Sequence, residues 1–178
     1  MGPKGHRVDR PRASRAGISP IPTHQPVIAL RYGEAVRIAL GTDERTPLIG
    51  ALQFFLESQG HEVLVVADSV PWPEAGGAVG RAVADGLADA GVVCCTTGTG
   101  VSMAANKVPG VRAALCTDAD TARGARRWND ANVLAFGLRL TTETVAVEMV
   151  DAFLETEFDP AEADVVASME PATTGGRS

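Results

Sequence analysis

The chain has 178 residues, 45% of them hydrophobic and 21% charged, with a net charge of −6. That length supports one domain with a real core, and the composition is that of an ordinary soluble protein. Lys4, Arg7, Arg10, Arg12, Arg15 and Arg31 face only Asp9 and Glu34 in the first 34 residues, so the rest of the chain is acidic, which argues against a nucleic-acid partner.

Residues 1–34, with Pro3, Pro11, Pro20, Pro22 and Pro26, read as a disordered basic leader that could hold at most a short strand at "PVIALRY". It has no apolar signal-peptide core, and nowhere is there an apolar run of about 18 residues, so no membrane partner and a cytoplasmic location are expected. From 35 to 158 the pattern alternates. "VRIALG" (36–41) is an apolar run ending in glycine, as a buried parallel strand should be. "TPLIGALQFFLESQG" (46–60) places Leu48, Leu52, Phe55 and Leu56 at helical spacing, with Pro47 in its first turn. There follow a strand at 61–68, an alanine-rich helix at 76–91, a strand at 92–95 and a short helix at 101–107. A strand at 111–116, a helix at 119–128, a strand at 132–137 and a long helix at 141–158 complete the body. Residues 159–178 are read as a C-terminal extension ending in a frayed tail.

Five strand–helix repeats predict a doubly wound, five-stranded parallel sheet in a three-layer α/β/α sandwich, Rossmann-like with order 2-1-3-4-5. Ligands bind such sheets beyond the carboxyl ends of the strands, near the switch in winding direction. In that order the first and third strands flank the switch, so Asp43 and Cys95 would share one crevice.

The third strand runs into "CCTTGTG" (94–100). Glycines there let backbone N–H groups approach an anion, or simply make a tight turn. The loop is no P-loop, since GxxxxGK[ST] is absent, and no dinucleotide fingerprint, since Met103 stands where the third glycine would be. Nor is it a phosphatase loop, which needs a closing arginine. A thiol beside a helix start reaches its thiolate more easily, so Cys95 could act as nucleophile or base, and the lack of a nearby histidine favours the base. Alternation sends Cys94 to the opposite face; Cys94 and Cys116 are read as core packing. With no CxxC pair and only His6, His24 and His61, neither a zinc site nor a cofactor is expected.

"GTDERTPLIGALQFFLESQGHEV", "CTTGTGVSMAANKVPGVRAALCTD" and "RRWNDANVLAFGLRL" together resemble the type B ribose-5-phosphate isomerase family, which includes the galactose-6-phosphate isomerase subunits. The resemblance implies an α/β/α sandwich forming a homodimer or homotetramer, with active sites at the dimer interface. It implies metal-independent aldose–ketose isomerisation of a sugar phosphate through a cis-enediolate. Cys95 falls on the family's base and Thr97 on its hydroxyl-proton shuttle. The amides of Gly98, Thr99 and Gly100 fall on the enediolate cradle. Asp43, Asn129 and Arg139 fall on substrate-binding positions.

The departures from the family pattern are equally specific. Glu44 stands in place of a histidine, Trp72 opens a loosely matching aromatic-Pro-acid segment, and Trp128 replaces the ring-opening histidine. The arginine-rich C-terminal segment that grips phosphate is replaced by acidic "FDPAEADVVASME". An indole does not titrate, so Trp128 cannot open a furanose. A tetrose phosphate cannot close a ring through a phosphorylated O4 and needs no opening. Arg45, or Arg123, Arg126 and Arg127 at i, i+3, i+4, could rebuild an anion site or be a solvated face. Three readings stay open: an isomerase for an open-chain or modified sugar, a genuine ribose-5-phosphate isomerase, and a non-catalytic homologue or subunit of a heteromer.

Overall fold

A computed structural model describes residues 34–169. The expected leader at 1–34, apart from Glu34, and the tail from 170 on lie outside the described residues. The order is β1 (Arg37–Thr42), α1 (Pro47–Ser58), β2 (Glu62–Ala67), α2 (Trp72–Ala84), β3 (Ala90–Cys95), α3 (Thr99–Ala105), β4 (Ala113–Leu115), α4 (Ala119–Asn129), β5 (Val133–Gly137) and α5 (Glu143–Glu155). A 3₁₀ turn at Pro160–Glu162 leads into a short helix, α6 (Ala163–Ala167).

All strand pairs are parallel, in the order β2-β1-β3-β5-β4. The sandwich is as predicted, but the last two strands exchange places relative to 2-1-3-4-5. The reason is burial. "VLAFG" of β5 is buried along nearly its whole length, whereas β4 has only three residues and leaves Leu115 half exposed. A short, partly solvated strand costs least at the edge. β1 and β3 remain neighbours, so Asp43 and Cys95 stand at the ends of adjacent strands.

Two apolar layers sandwich the sheet. On one face Ile38, Leu40, Cys94, Leu134 and Phe136 pack under α1, α4 and α5. On the other, Ala39, Val93, Cys95 and Ala135 pack under α2 and α3. That second layer is thin because its residues are small. At Gly76 on α2 an added Cβ would lie 2.6 Å from the Val101 carbonyl oxygen and 2.7 Å from Ala104 Cβ. The absence of a side chain there lets α2 lie directly on α3.

α2 starts at Trp72, four residues before the predicted start, because Pro71 and Pro73 suit a helix entrance, and it ends at Ala84 before Gly86, whose φ is +73°. In Gly76→Ala the better helix propensity, about 1 kcal/mol, opposes overpacking against backbone, about 1–3 kcal/mol. Because the clash at 2.6 Å is with backbone, the upper end of that cost applies and we expect a net loss of about 2 kcal/mol in denaturant unfolding; unchanged stability would show that α2 and α3 can part without cost.

Candidate functional site

The loops that leave β1, β3 and β5 meet at the carboxyl edge of the sheet. The Asp43 N–H donates to the Cys94 carbonyl (3.4 Å), the Leu138 N–H to the Cys95 carbonyl (2.9 Å) and the Arg139 N–H to the Thr96 carbonyl (3.1 Å). Gly98 turns the chain into α3 with φ +78°, a conformation glycine adopts without strain. A Cβ at Gly98 would also lie 2.6 Å from the Phe136 carbonyl carbon, so the turn is pressed against the end of β5.

This turn holds the Cys95 sulfur. The Gly98 N–H donates to it at 3.2 Å, and the side chain is 4% exposed. The sequence expectation gave that amide to a substrate oxygen; here it is spent on the thiol. The amides of Thr99 and Gly100, in the first turn of α3, have no helical acceptor of their own. The Thr97 and Thr99 hydroxyls are 2.8 Å apart and exposed. The Trp72 indole lies against Gly100, where a Cβ would come within 2.9 Å of the ring, and it is half exposed. It therefore walls the loop from the α2 side.

Cys94 faces the other side of the sheet. It is wholly buried in the other layer, and burial pushes its thiol up to about 12. Burial likewise pushes Cys116 up to about 11. Neither is a useful base near neutral pH.

Asp43 sits at the end of β1, beside β3. Burial holds its carboxyl above the usual carboxylate range, with the Glu44 charge adding to the rise against a backbone hydrogen bond. Its Oδ1 and the nearby Thr46 hydroxyl are buried with no hydrogen-bond partner. Buried polar atoms are seldom left unpaired without a ligand or function to explain them. Glu44 is exposed, and its backbone closes a turn on the Thr42 hydroxyl. Arg139 is exposed, with no ion partner among the described residues.

Trp128 and Asn129 are not brought to this crevice. They end α4 at the amino edge of the sheet, just before β5 begins at Val133 opposite Gly91. Cys95 lies four residues up β3 from Gly91, about 13 Å away at the rise of a strand. The Trp128 ring folds back over Gly124 and is 55% exposed. The arginine row beside it is not one exposed face. Arg126 is buried, donating to the Ala131 carbonyl (2.6 Å) and reaching Asp130 (3.4 Å) over the Phe153 ring. Arg123 pairs with Asp120 on its own helix (2.8 Å). A cavity of about 400 Å³ next to Arg123 and Arg127 is also lined by Glu155, Glu157 and Asp159, so its charge is mixed. The sequence reading overlooks Asp68 and Ser69, which close the end of β2 on Arg45; "AD" at a strand end is too common a signal to single out.

Among the described residues no group of three or more His, Cys, Asp or Glu side chains is placed to hold a metal ion, and no helix is long and apolar enough to cross a membrane.

The family profile described as ribose/galactose isomerase matches residues 38–167. The chain is 41% identical over 128 residues to galactose-6-phosphate isomerase subunit LacB of Clostridium acetobutylicum, covering 69% of this chain and 74% of that one. It is 33% identical over 128 residues to D-erythrulose-4-phosphate isomerase of Pectobacterium atrosepticum, covering 68% and 84%. The solved ribose-5-phosphate isomerase B of Clostridium thermocellum superposes with a TM-score of 0.70 at 39% identity, covering 75% of this chain and 94% of that one.

A carboxyl raised in the folded state favours the neutral form. Its contribution to stability is present below the ordinary aspartate value, about 4, and is lost as pH rises through the raised folded value. Asp43→Asn removes that loss. Calorimetric melts should show the variant matching the parent near pH 3 and melting higher at pH 7; equal melting at both pH values would mean the carboxylate is not strained.

Proposed function

The chain belongs to the ribose/galactose isomerase family, and from that premise we propose that it is a cytoplasmic aldose–ketose isomerase acting on a short, open-chain sugar phosphate. The reading that it turns over a tetrose phosphate draws support from the absent ring-opening histidine at Trp128 and from a relative named for D-erythrulose 4-phosphate. The observation that carries the chemistry is the Cys95 sulfur, fixed by the Gly98 amide at 3.2 Å at the end of β3, the strand next to the one that Asp43 follows.

In this mechanism Cys95, as thiolate, takes the proton from the carbon next to the carbonyl. The electron pair moves into a carbon–carbon double bond and the carbonyl oxygen becomes an enediolate oxygen. The Thr99 and Gly100 amides face the developing charge, a role suited to preorganised donors. Thr97 passes a proton between the two oxygens, helped by its contact with Thr99. The Cys95 proton then returns to the neighbouring carbon, so atoms and charge balance with no cofactor or metal in the step. Asp43 binds a substrate hydroxyl through its unpaired oxygen, Glu44 and Arg139 line the crevice mouth, and Trp72 closes it. Trp128 and Asn129 serve the site of a second copy, consistent with their place at the far edge of their own sheet, so the working unit is a homodimer.

A genuine ribose-5-phosphate isomerase is the second reading, because several relatives and solved structures carry that name. General-base loss typically costs about 10²–10⁴ in rate. Cys95→Ala should therefore lower proton exchange from sugar phosphates into heavy water at least a hundredfold; unchanged exchange would remove Cys95 as base, and none from the parent protein would remove the isomerase. Trp128→His should raise turnover of ribose 5-phosphate if ring opening is the missing step, while the parent turning over ribose 5-phosphate as well as any tetrose phosphate would favour the second reading.

A further inference from the structure

We infer that Arg45, held in place by Asp68, grips the phosphate, so that the substrate lies across the carboxyl edge with its carbonyl end at β3 and its phosphate over the gap between β1 and β2. The assignment rests on the isomerase reading above. Arg45 follows β1 and Asp68 follows β2; the Arg45 Nη1 donates to the Asp68 Oδ2 at 2.5 Å. Asp68 is itself tied by the Ser69 hydroxyl at 3.0 Å. Ser69 adopts φ +56°, a left-handed conformation uncommon for a residue with a side chain. The guanidinium is thus fixed from behind, yet 49% of the side chain is exposed and its other nitrogens have no protein partner among the described residues. A planar fork with spare donors suits phosphate, which it meets with charge-assisted bonds.

Two other features set the direction. In the loops leaving the carboxyl ends of the five strands, the cations are Arg45 and Arg139, one on each side of Cys95. The unpaired Asp43 oxygen and Thr46 hydroxyl both lie on the Arg45 side. A substrate that satisfies them runs from β3 over β1 towards β2. The lengths agree. Neighbouring strands are about 4.8 Å apart, which puts the middle of the β1–β2 gap about 7 Å from β3. An extended four-carbon sugar spans about 6 Å from its carbonyl carbon to its phosphorus, at about 1.5 Å per bond. The charge argument is also local: Asp43, Glu44 and Asp68 would repel a dianion at this end of the crevice unless Arg45 met it.

The probe is inorganic phosphate, titrated calorimetrically into the full-length protein. Arg45→Gln should weaken phosphate at least tenfold and Arg45→Lys by less. Arg139→Gln should weaken it less than Arg45→Gln. With a tetrose phosphate, Arg45→Gln should raise KM while leaving kcat within a few-fold. Phosphate binding that survives Arg45→Gln, that depends more on Arg139, or that is absent from the parent protein overturns the assignment. Cys95→Ala separates the two ideas, since it should bind phosphate as the parent does. If proton exchange fails with every sugar phosphate while the phosphate titration still depends on Arg45, the isomerase reading falls and the anion site stands.

Discussion

The carboxyl edge depends on how tightly the turn after β3 is pressed against the end of β5. The Leu138 and Arg139 amides bond to the Cys95 and Thr96 carbonyls, and Gly98 meets the Phe136–Gly137 backbone where no Cβ would fit. Gly137 is equally constrained, since a Cβ there would lie 2.8 Å from the Thr97 carbonyl oxygen. With both glycines in place the loop folds back far enough for the Gly98 amide to reach the Cys95 sulfur. The start of α3 and the two threonine hydroxyls follow from the same turn. The thin layer beneath α2 and α3 supports it from below, because small residues there bring α3 close to the sheet and let Trp72 rest on Gly100.

At the opposite edge, the segments most specific to the resemblance have structural work to do. The Asn106 side chain donates to the Ala113 carbonyl and accepts from its amide, extending β4 by one false partner. The Asn132 side chain accepts from the Arg112 amide and donates to the Gly110 carbonyl. Asp130, 1% exposed and with φ +47°, lies between Arg112 at 2.5 Å and Arg126 at 3.4 Å. "PGVR" and "NDAN" therefore interlock around the buried Asp130, where an unpaired charge would be costly. This network fixes the end of α4, and with it the positions of Trp128 and Asn129. It also accounts for Arg126, whose charge is used inside the fold; burial lowers its pKa and Asp130 opposes that drop.

Much of the architecture was legible in the residues because its signals are local. Apolar runs of strand length, helical spacing at Leu48, Leu52, Phe55 and Leu56, and threonines before the last long helix need only neighbours to be read. Alternation along β3 correctly separates Cys94 from Cys95 onto the two faces. The start of α2 lies at Trp72 rather than Gly76, because Pro at the first turns of a helix is a weaker local signal than an alanine-rich run; Gly76 and Gly77 give contact with α3 and room for the Arg81 side chain.

The sequence by itself determined the class of fold, the strand that carries Cys95 and its separation from Cys94 onto the opposite face, since each follows from periodicity and chain order. Tertiary structure alone decided the exchange of β4 and β5, because edge position depends on how much of each strand other elements cover. It alone brought Arg45 to Asp68 and Arg112 to Asp130. It alone left Asp43 Oδ1 without a partner. Pairing between charges brought together from distant parts of the chain is a property of distances in space, and no spacing along the sequence encodes it.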